Sequence, residues 1–303
     1  MEAALYQTIL SQGACVDLSS RAKWRLSGAD RVRYLNGQVT QDVRATTSDK
    51  ALHACVTNVK GRIEGDIFIH ADADSLLFDA PAGLRESLGA RLERYIIADD
   101  AVLEDVTDQW RLWHCIEPRP GTAGEPENPF VRLKNNRFGL KGFDLWIPAD
   151  FPSPCLAPLP QLSAEEAETL RILQGVPTWP QELNTEVFPP EAGLEKTAMS
   201  FTKGCYIGQE ILSRIKTTGK MPHVLAMWEA ADGDPSLLVP GAILGQDREI
   251  GKITSVARHP ISGHRVGLAF IRQGSASLDS RLPVGNGLSS IAAHVKISAL
   301  PNQ

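Results

Sequence analysis

Where the prolines sit limits what this chain can fold into. Of 20 prolines in 303 residues, nine fall in two short stretches. Pro118, Pro120, Pro126 and Pro129 share the first with two glycines, and Pro148, Pro152, Pro154, Pro158 and Pro160 crowd the second. Proline gives no amide hydrogen to a helix or sheet, and its ring fixes φ. The first stretch therefore reads as a loop and the second as a linker. Regular structure must form between and around them, and a chain of this length buries its core in two or three units.

Composition excludes several classes of function. Hydrophobic content of 43% and charged content of 22% are those of an ordinary globular protein, so a packed core is available. The formal net charge is −5, which gives no general footprint for nucleic acid. Met1-Glu2-Ala3-Ala4-Leu5-Tyr6 carries no basic region ahead of an apolar run, so it does not read as a signal peptide. No apolar run approaches the roughly 20 residues that span a bilayer. A cytoplasmic protein that binds neither membrane nor nucleic acid directly is expected. Five cysteines (Cys15, Cys55, Cys115, Cys155 and Cys205) form an odd, widely spaced set without C-x-x-C. This argues against a disulfide framework and against a permanently bound metal or cluster.

Apolar periodicity supplies the elements. Helices are expected over Ala3 to Leu10, Asp30 to Leu35 and Gly83 to Ile97. A fourth fits Ser163 to Gln174, where Ser163 and Glu166 stand at capping-box positions and Gly175 ends the run. Strands are expected over Lys23 to Leu26, Leu76 to Asp79, Val102 to Val106 and Arg111 to Ile116. Leu52 to Thr57 and Ile63 to His70, joined by Asn58-Val59-Lys60-Gly61, form a hairpin pattern. After Met221-Pro222 the texture changes to short strands at Val224–Trp228, Ile250–Val256, Val266–Ile271 and Ile291–Ile297, which suggests a small all-β barrel or sandwich.

One segment concentrates chemistry: Lys203-Gly204-Cys205-Tyr206-Ile207-Gly208-Gln209-Glu210. A cation near a thiol favours the thiolate, and the flanking glycines let the backbone turn sharply. Cys205 is thus the candidate functional thiol, with Lys203 as its activator. The other four cysteines read as small buried hydrophobes. His53, His70 and His114 fall on strand candidates and read as structural histidines.

The octapeptide resembles the KGC-[FY]-x-GQE signature of the YgfZ family of folate-binding iron–sulfur assembly factors, which is related to the glycine-cleavage T-protein. Leu35-Asn36-Gly37-Gln38-Val39-Thr40-Gln41-Asp42-Val43 is similar to the family's L-x-G-Q-V-T-x-D-V segment. Lys60-Gly61-Arg62-Ile63 is similar to its K-G-[RK]-[IM] turn, and Gly175-Val176-Pro177 with Pro189-Pro190-Glu191 to the stretch before the signature. These segments arrive in the family order. The resemblance implies an α+β, three-domain aminomethyltransferase-like fold around a central channel, with a C-terminal β-barrel. The expected units are a discontinuous folate-binding domain (1–49 and 156–221), an inserted α+β domain (50–155) and the barrel (222–303).

It further implies tetrahydrofolate or a one-carbon derivative in the channel, and iron–sulfur client or assembly proteins as partners. The expected function is assembly or repair of [4Fe–4S] enzymes, with tRNA modification as an indirect outcome. Trp179 and Tyr206 are candidate stacking platforms, and Asp66 and Glu191 candidate partners for the pterin amino edge. Gln209, Glu210 and Arg214 are further candidate folate contacts; alternatively Gln209 and Glu210 cap a following strand, or Glu210 pairs with Arg214. Residues 195 to 220 hold five cationic side chains against two carboxylates, enough to attract a glutamate tail. The T-protein carries two adjacent carboxylates where this chain has Gly65-Asp66, which counts against aminomethyl transfer. A folate-dependent aminomethyltransferase or demethylase, and a thiol-based scaffold without folate, remain the rival functions.

Overall fold

The computed structural model describes residues 1–117, 131–152, 159–231, 238–245, 249–277, 279–285 and 293–301. The first proline-rich stretch, the middle of the second (153–158), and with it Cys155, lie outside them. In chain order the first elements are α1 (Ala3–Gln12), β1 (Ala14–Asp17), β2 (Ala22–Ser27), α2 (Arg31–Gln38), β3 (Leu52–Thr57), β4 (Ile63–Asp72) and β5 (Ser75–Ala80). Then come α3 (Arg85–Glu93), β6 (Val102–Asp105), β7 (Trp110–Ile116), β8 (Val131–Asn135), β9 (Gly142–Pro148), α4 (Ala164–Leu173) and α5 (Gln209–Thr218). The last six strands are β10 (His223–Ala230), β11 (Ile243–Leu244), β12 (Gly251–Arg258), β13 (Arg265–Arg272), β14 (Arg281–Gly285) and β15 (Ala293–Ser298).

Three sheets organise these elements. The five-stranded sheet runs β3-β4-β5-β2-β6, and a four-stranded sheet runs β1-β7-β9-β8. The C-terminal strands close into a barrel, β10-β13-β12-β11-β14-β15, as the change of texture after Pro222 leads one to expect. Alternation along β4 decides the layering, because successive side chains point to opposite faces. Ile67 and Ile69 join Trp24, Phe78, Tyr34 and Leu88 in the core beneath α2 and α3. Phe68 faces the other way and packs with Leu77, Leu112, Leu133 and Trp146 between the two open sheets.

The expected hairpin forms, and its turn explains itself chemically. Asn58 Oδ1 accepts from the backbone amides of Lys60 and Arg62, and Gly61 takes φ of 75°. Asparagine supplies the local acceptor and glycine the left-handed residue. The capping box at α4 is also present, with Ser163 accepting from the Glu166 amide and Glu166 from the Ser163 amide. In the segment 36–44, polar side chains cap backbone amides: Asn36 Oδ1 accepts from Val43 N and Asp42 Oδ1 from Arg44 N.

Several expectations need correction. From Gln209 onward the chain forms helix α5 rather than the strand expected after the signature. Leu212 and Ile215 are its buried residues, three apart on one face, and Gly208 and Gly219 close both ends in left-handed conformations. Polar residues, among them Arg214 and Lys216, fill the exposed face and hide the helical period. Asn36-Gly37 does not end α2 but lies within it. Residues 14–17, 131–135 and 142–148 form unexpected strands of the four-stranded sheet. Strand pairing joins the two sides of residue 50 in three places, with β2 paired to β5 and to β6, and β1 to β7.

Candidate functional site

The signature-like segments, far apart in sequence, meet in one assembly. Thr57 Oγ1 donates to the Ile207 carbonyl at 2.6 Å, and the Ile207 amide donates to the Gly37 carbonyl at 3.1 Å. Thr40 Oγ1 donates to the Ala198 carbonyl at 2.5 Å and accepts from the Cys55 amide at 2.9 Å. Gly208 sits against the hairpin turn so closely that a Cβ there would lie 2.5 Å from the Asn58 carbonyl oxygen. Its φ of 87° independently favours glycine. The glycine of the signature is therefore needed for close approach to Asn58–Gly61.

Lys203 is the pin of this assembly rather than a free cation beside the thiol. Its Nζ donates to the carbonyls of Asn36 at 2.6 Å, Val39 at 2.8 Å and Gln41 at 2.8 Å. An ammonium has three protons, and all three are used. Burial pulls this lysine down to about 8 against the opposing pull of Asp42. Tyr206 is buried among Met199, Leu212 and Ile215, where burial pushes its phenol up to about 12. It is core, not an open stacking platform. Cys205, between them in sequence, is exposed, whereas Cys15, Cys55 and Cys115 are buried.

The remaining signature residues sit on the surface of α5. Glu210 is exposed and pairs with Arg214 at 3.5 Å across one helical turn. Gln209, half-buried, opens the helix. Lys216 pairs with Glu195 and lies over the Phe201 ring.

A cavity of about 620 Å³ lies elsewhere, between the two open sheets and the 171–197 segment. Asp66 reaches it from β4 and His53 from β3. His53 Nε2 and Asp66 Oδ1 are 2.6 Å apart, and the His53 ring stacks on Phe68 at 4.4 Å with an 8° tilt. Burial raises the Asp66 carboxyl, but His53, Arg21 and Arg137 outweigh it and leave the net shift downward. Asp66 is the sole carboxylate on a described wall that also carries Lys50, Lys134, Arg137 and Lys196. Lys196 belongs to the cationic run noted in the sequence; Lys50, Lys134 and Arg137 come from elsewhere.

Other expected ligand contacts stand outside this cavity. Glu191 is 2% exposed and fully engaged. It accepts from the amides of Phe188 and His223, each at 2.9 Å, and from Arg62 Nη1 at 3.3 Å. Trp179 is half-buried against two core clusters, and its neighbours Pro177 and Thr178 line the cavity instead. Gly65 points away from the cavity: a Cβ there would meet Leu88 of α3 at 3.0 Å. The departure from two carboxylates thus lies on the helix-packed face and removes nothing from the cavity. Sequence reading missed His53, Phe68 and Arg137, and only alternation with Asp66 along the hairpin would have pointed to the first two.

Among the described residues, no group of three or more His, Cys, Asp or Glu side chains is placed to hold a metal ion. Among them, too, no helix is long and apolar enough to cross a membrane.

No family model matches the chain. It is 26% identical over 310 residues to a chloroplastic protein of Arabidopsis thaliana, covering 92% of this chain and 70% of that one. It is 28% identical over 263 residues to a mitochondrial iron–sulfur cluster assembly factor IBA57 homolog of Chaetomium globosum, covering 75% of this chain but 60% of the fungal one. It is 26% identical over 265 residues to the tRNA-modifying protein YgfZ of Yersinia pseudotuberculosis, covering 80% of this chain and 77% of that protein. In three dimensions it superposes on the glycine cleavage system aminomethyltransferase T of Bartonella henselae with a TM-score of 0.82. That match covers 99% of this chain and 89% of the other at 14% identity. The chain is a homologue of proteins named YgfZ and IBA57, and its fold is that of the aminomethyltransferase.

Proposed function

We propose that this homologue of the YgfZ and IBA57 proteins is a tetrahydrofolate-binding accessory factor for assembly or repair of [4Fe–4S] enzymes. Support for tRNA modification would follow indirectly, through enzymes that carry such clusters. In this reading the cavity holds the folate, and Cys205 serves the sulfur, iron or client side from the exposed loop. Cytoplasmic residence is part of the proposal.

The observation that carries it is a cavity with a single carboxylate on a cationic described wall, pinned through Lys203 and Gln41 to the loop that presents the exposed thiol. Its volume falls within the roughly 300–1,000 Å³ usual for ligand sites. The residues present fit a folate. Asp66 offers a carboxylate to the amino edge of a pterin, while Lys50, Lys134 and Lys196 offer charge to the glutamate tail. Iron–sulfur assembly is supported by the likeness to the IBA57 homolog, and tRNA modification by the likeness to YgfZ.

Calorimetric titration with tetrahydrofolate tests this. Asp66→Asn is expected to weaken binding by about 1–3 kcal/mol, the usual cost of depriving a buried polar group of its partner. Cys205→Ala is expected to bind normally yet fail to support a [4Fe–4S] enzyme in cells. Absence of binding would favour the thiol scaffold.

A second reading, folate-dependent aminomethyl transfer, gains from one observation. Position 65 faces α3, so its glycine does not disarm the cavity. Robust formation of methylenetetrahydrofolate from an aminomethylated carrier protein, lost in Asp66→Asn, would replace the accessory role with this one.

A further inference from the structure

Two Asp–His pairs lie between the open sheets, and they differ in what they face. His114 and Asp144 are both fully buried. Asp144 also receives Arg137 and Asn135, and His114 Nε2 is enclosed with no hydrogen-bond partner among the described residues. That pair belongs to the packing between the sheets. His53 and Asp66 instead line the cavity.

Their placement follows from strand register. Across the β3–β4 pair, His53 stands opposite Phe68 and Cys55 opposite Asp66. His53 and Asp66 are therefore diagonal neighbours on one face, within reach of a long side chain. Phe68 holds the imidazole flat against its ring. Asp66 accepts at Nε2, while Nδ1 has no hydrogen-bond partner among the described residues and is not among the enclosed polar atoms. A carboxylate on one imidazole nitrogen fixes the proton there and leaves a lone pair on the other. Against burial, which raises the Asp66 carboxyl, His53 first and then Arg21 and Arg137, themselves held by Asp79, favour the carboxylate form. The other charged groups on the cavity wall are Lys50, Lys134, Arg171 and Lys196.

We propose that His53, oriented by Asp66, is the proton acceptor of this cavity, taking a proton from an N–H or ammonium group of the ligand. The step moves one proton and no electrons. The ligand nitrogen keeps its electron pair, Nδ1 gains the proton, and Asp66 stabilises the resulting imidazolium. The identity of the ligand rests on the folate reading; the oriented base does not.

Two measurements on the full chain separate these claims. Long-range proton–nitrogen NMR of the ¹⁵N-labelled protein, assigned with His53→Gln, is expected to show the Nε2–H tautomer in the wild type and its loss in Asp66→Asn. An Nδ1–H tautomer in the wild type would overturn the proposal. Calorimetry with tetrahydrofolate, in buffers of different protonation enthalpy, then counts protons exchanged on binding. Over about pH 5 to 8, where imidazoles titrate, wild-type binding is expected to be proton-linked and His53→Gln binding to lose that linkage. The same proton count in both proteins would also overturn the proposal. No binding at all, with the Nε2–H tautomer in place, would sustain the oriented base and sink the folate reading alone.

Discussion

At the scale of single residues, the signature separates into one exposed thiol and residues that hold the loop and α5 in place. Cys205 is open to solvent, while burial raises the thiols of Cys15, Cys55 and Cys115, the last to about 12. Among these four, Cys205 is expected to alkylate fastest at neutral pH, read by mass spectrometry of its peptide; faster labelling of Cys15 or Cys115 would contradict the packing. Lys203 carries a different prediction. Removing its ammonium strands three carbonyls beneath the loop, each costing about 1–3 kcal/mol when left unpaired and dry. Partial re-solvation and the cost of burying the charge offset some of this, so Lys203→Met is expected to lower stability by about 2–4 kcal/mol in urea melts. A variant as stable as the wild type would return Lys203 to the role of thiol activator.

At the scale of elements, two contacts decide how the pieces meet. The first is the approach of the α5 N-terminus to the β3–β4 turn. Gly208→Ala places a methyl against the Asn58 carbonyl and imposes a left-handed backbone on a residue that resists it. A loss of about 2 kcal/mol or more is expected, with faster proteolysis of the 200–220 segment as the local readout. The second contact joins the two open sheets. Arg137, in the turn between β8 and β9, binds Asp79 of β5 at 2.6 Å and Asp144 of β9 at 2.9 Å. Burial works to raise the Asp144 carboxyl, but Arg137 and then His114 override it and hold the group below the ordinary carboxylate range. A carboxyl depressed on folding stabilises above its unfolded value and loses that stability as pH falls toward its folded value. Acid unfolding is therefore expected to steepen below about pH 4, the ordinary aspartate value, and Asp144→Asn is expected to flatten that part of the profile. An unchanged acid limb in the variant would exclude this pair as its cause.

At the scale of the whole molecule, Glu191 and Glu182 fasten the barrel to the rest. Glu191 gathers Arg62 from the hairpin turn, the Phe188 amide and the His223 amide at the start of β10. Glu182 gathers Arg171 of α4, Ser255 of β12 and the Thr178 amide beside the cavity. Both carboxylates are buried, so removing either takes the acceptor from buried amides and one partner from a cation. Glu191→Ala is expected to cost about 3–5 kcal/mol of stability, the range found when one member of a buried pair is lost. Tetrahydrofolate affinity measured below the melting transition is expected to stay near the wild-type value, because the carboxylate does not line the cavity. A selective loss of affinity without loss of stability would restore Glu191 to the ligand site.

The sequence by itself determined the local pieces. The Asn58–Gly61 turn, the capping box of α4 and the barrel texture after Pro222 follow from hydrogen-bonding and φ preferences within a few residues, and so were legible. The candidate thiol was legible for a similar reason, since glycines and charge surround Cys205 within eight positions. The resemblance of four separated segments supplied the overall fold, which no local pattern contained. Tertiary structure alone decided which polar groups became ligands of the protein itself. Lys203 and Glu191 have the composition of site residues, but Lys203 ends on the distant carbonyls of Asn36, Val39 and Gln41, and Glu191 on Arg62 and the amides of Phe188 and His223. His53 has the composition of a core histidine, yet pairing of β3 with β4 sets it beside Asp66 in the cavity. A side chain's chemistry is local, whereas its partners are fixed by strand register and close approach between distant segments, and those depend on the packing of the whole chain.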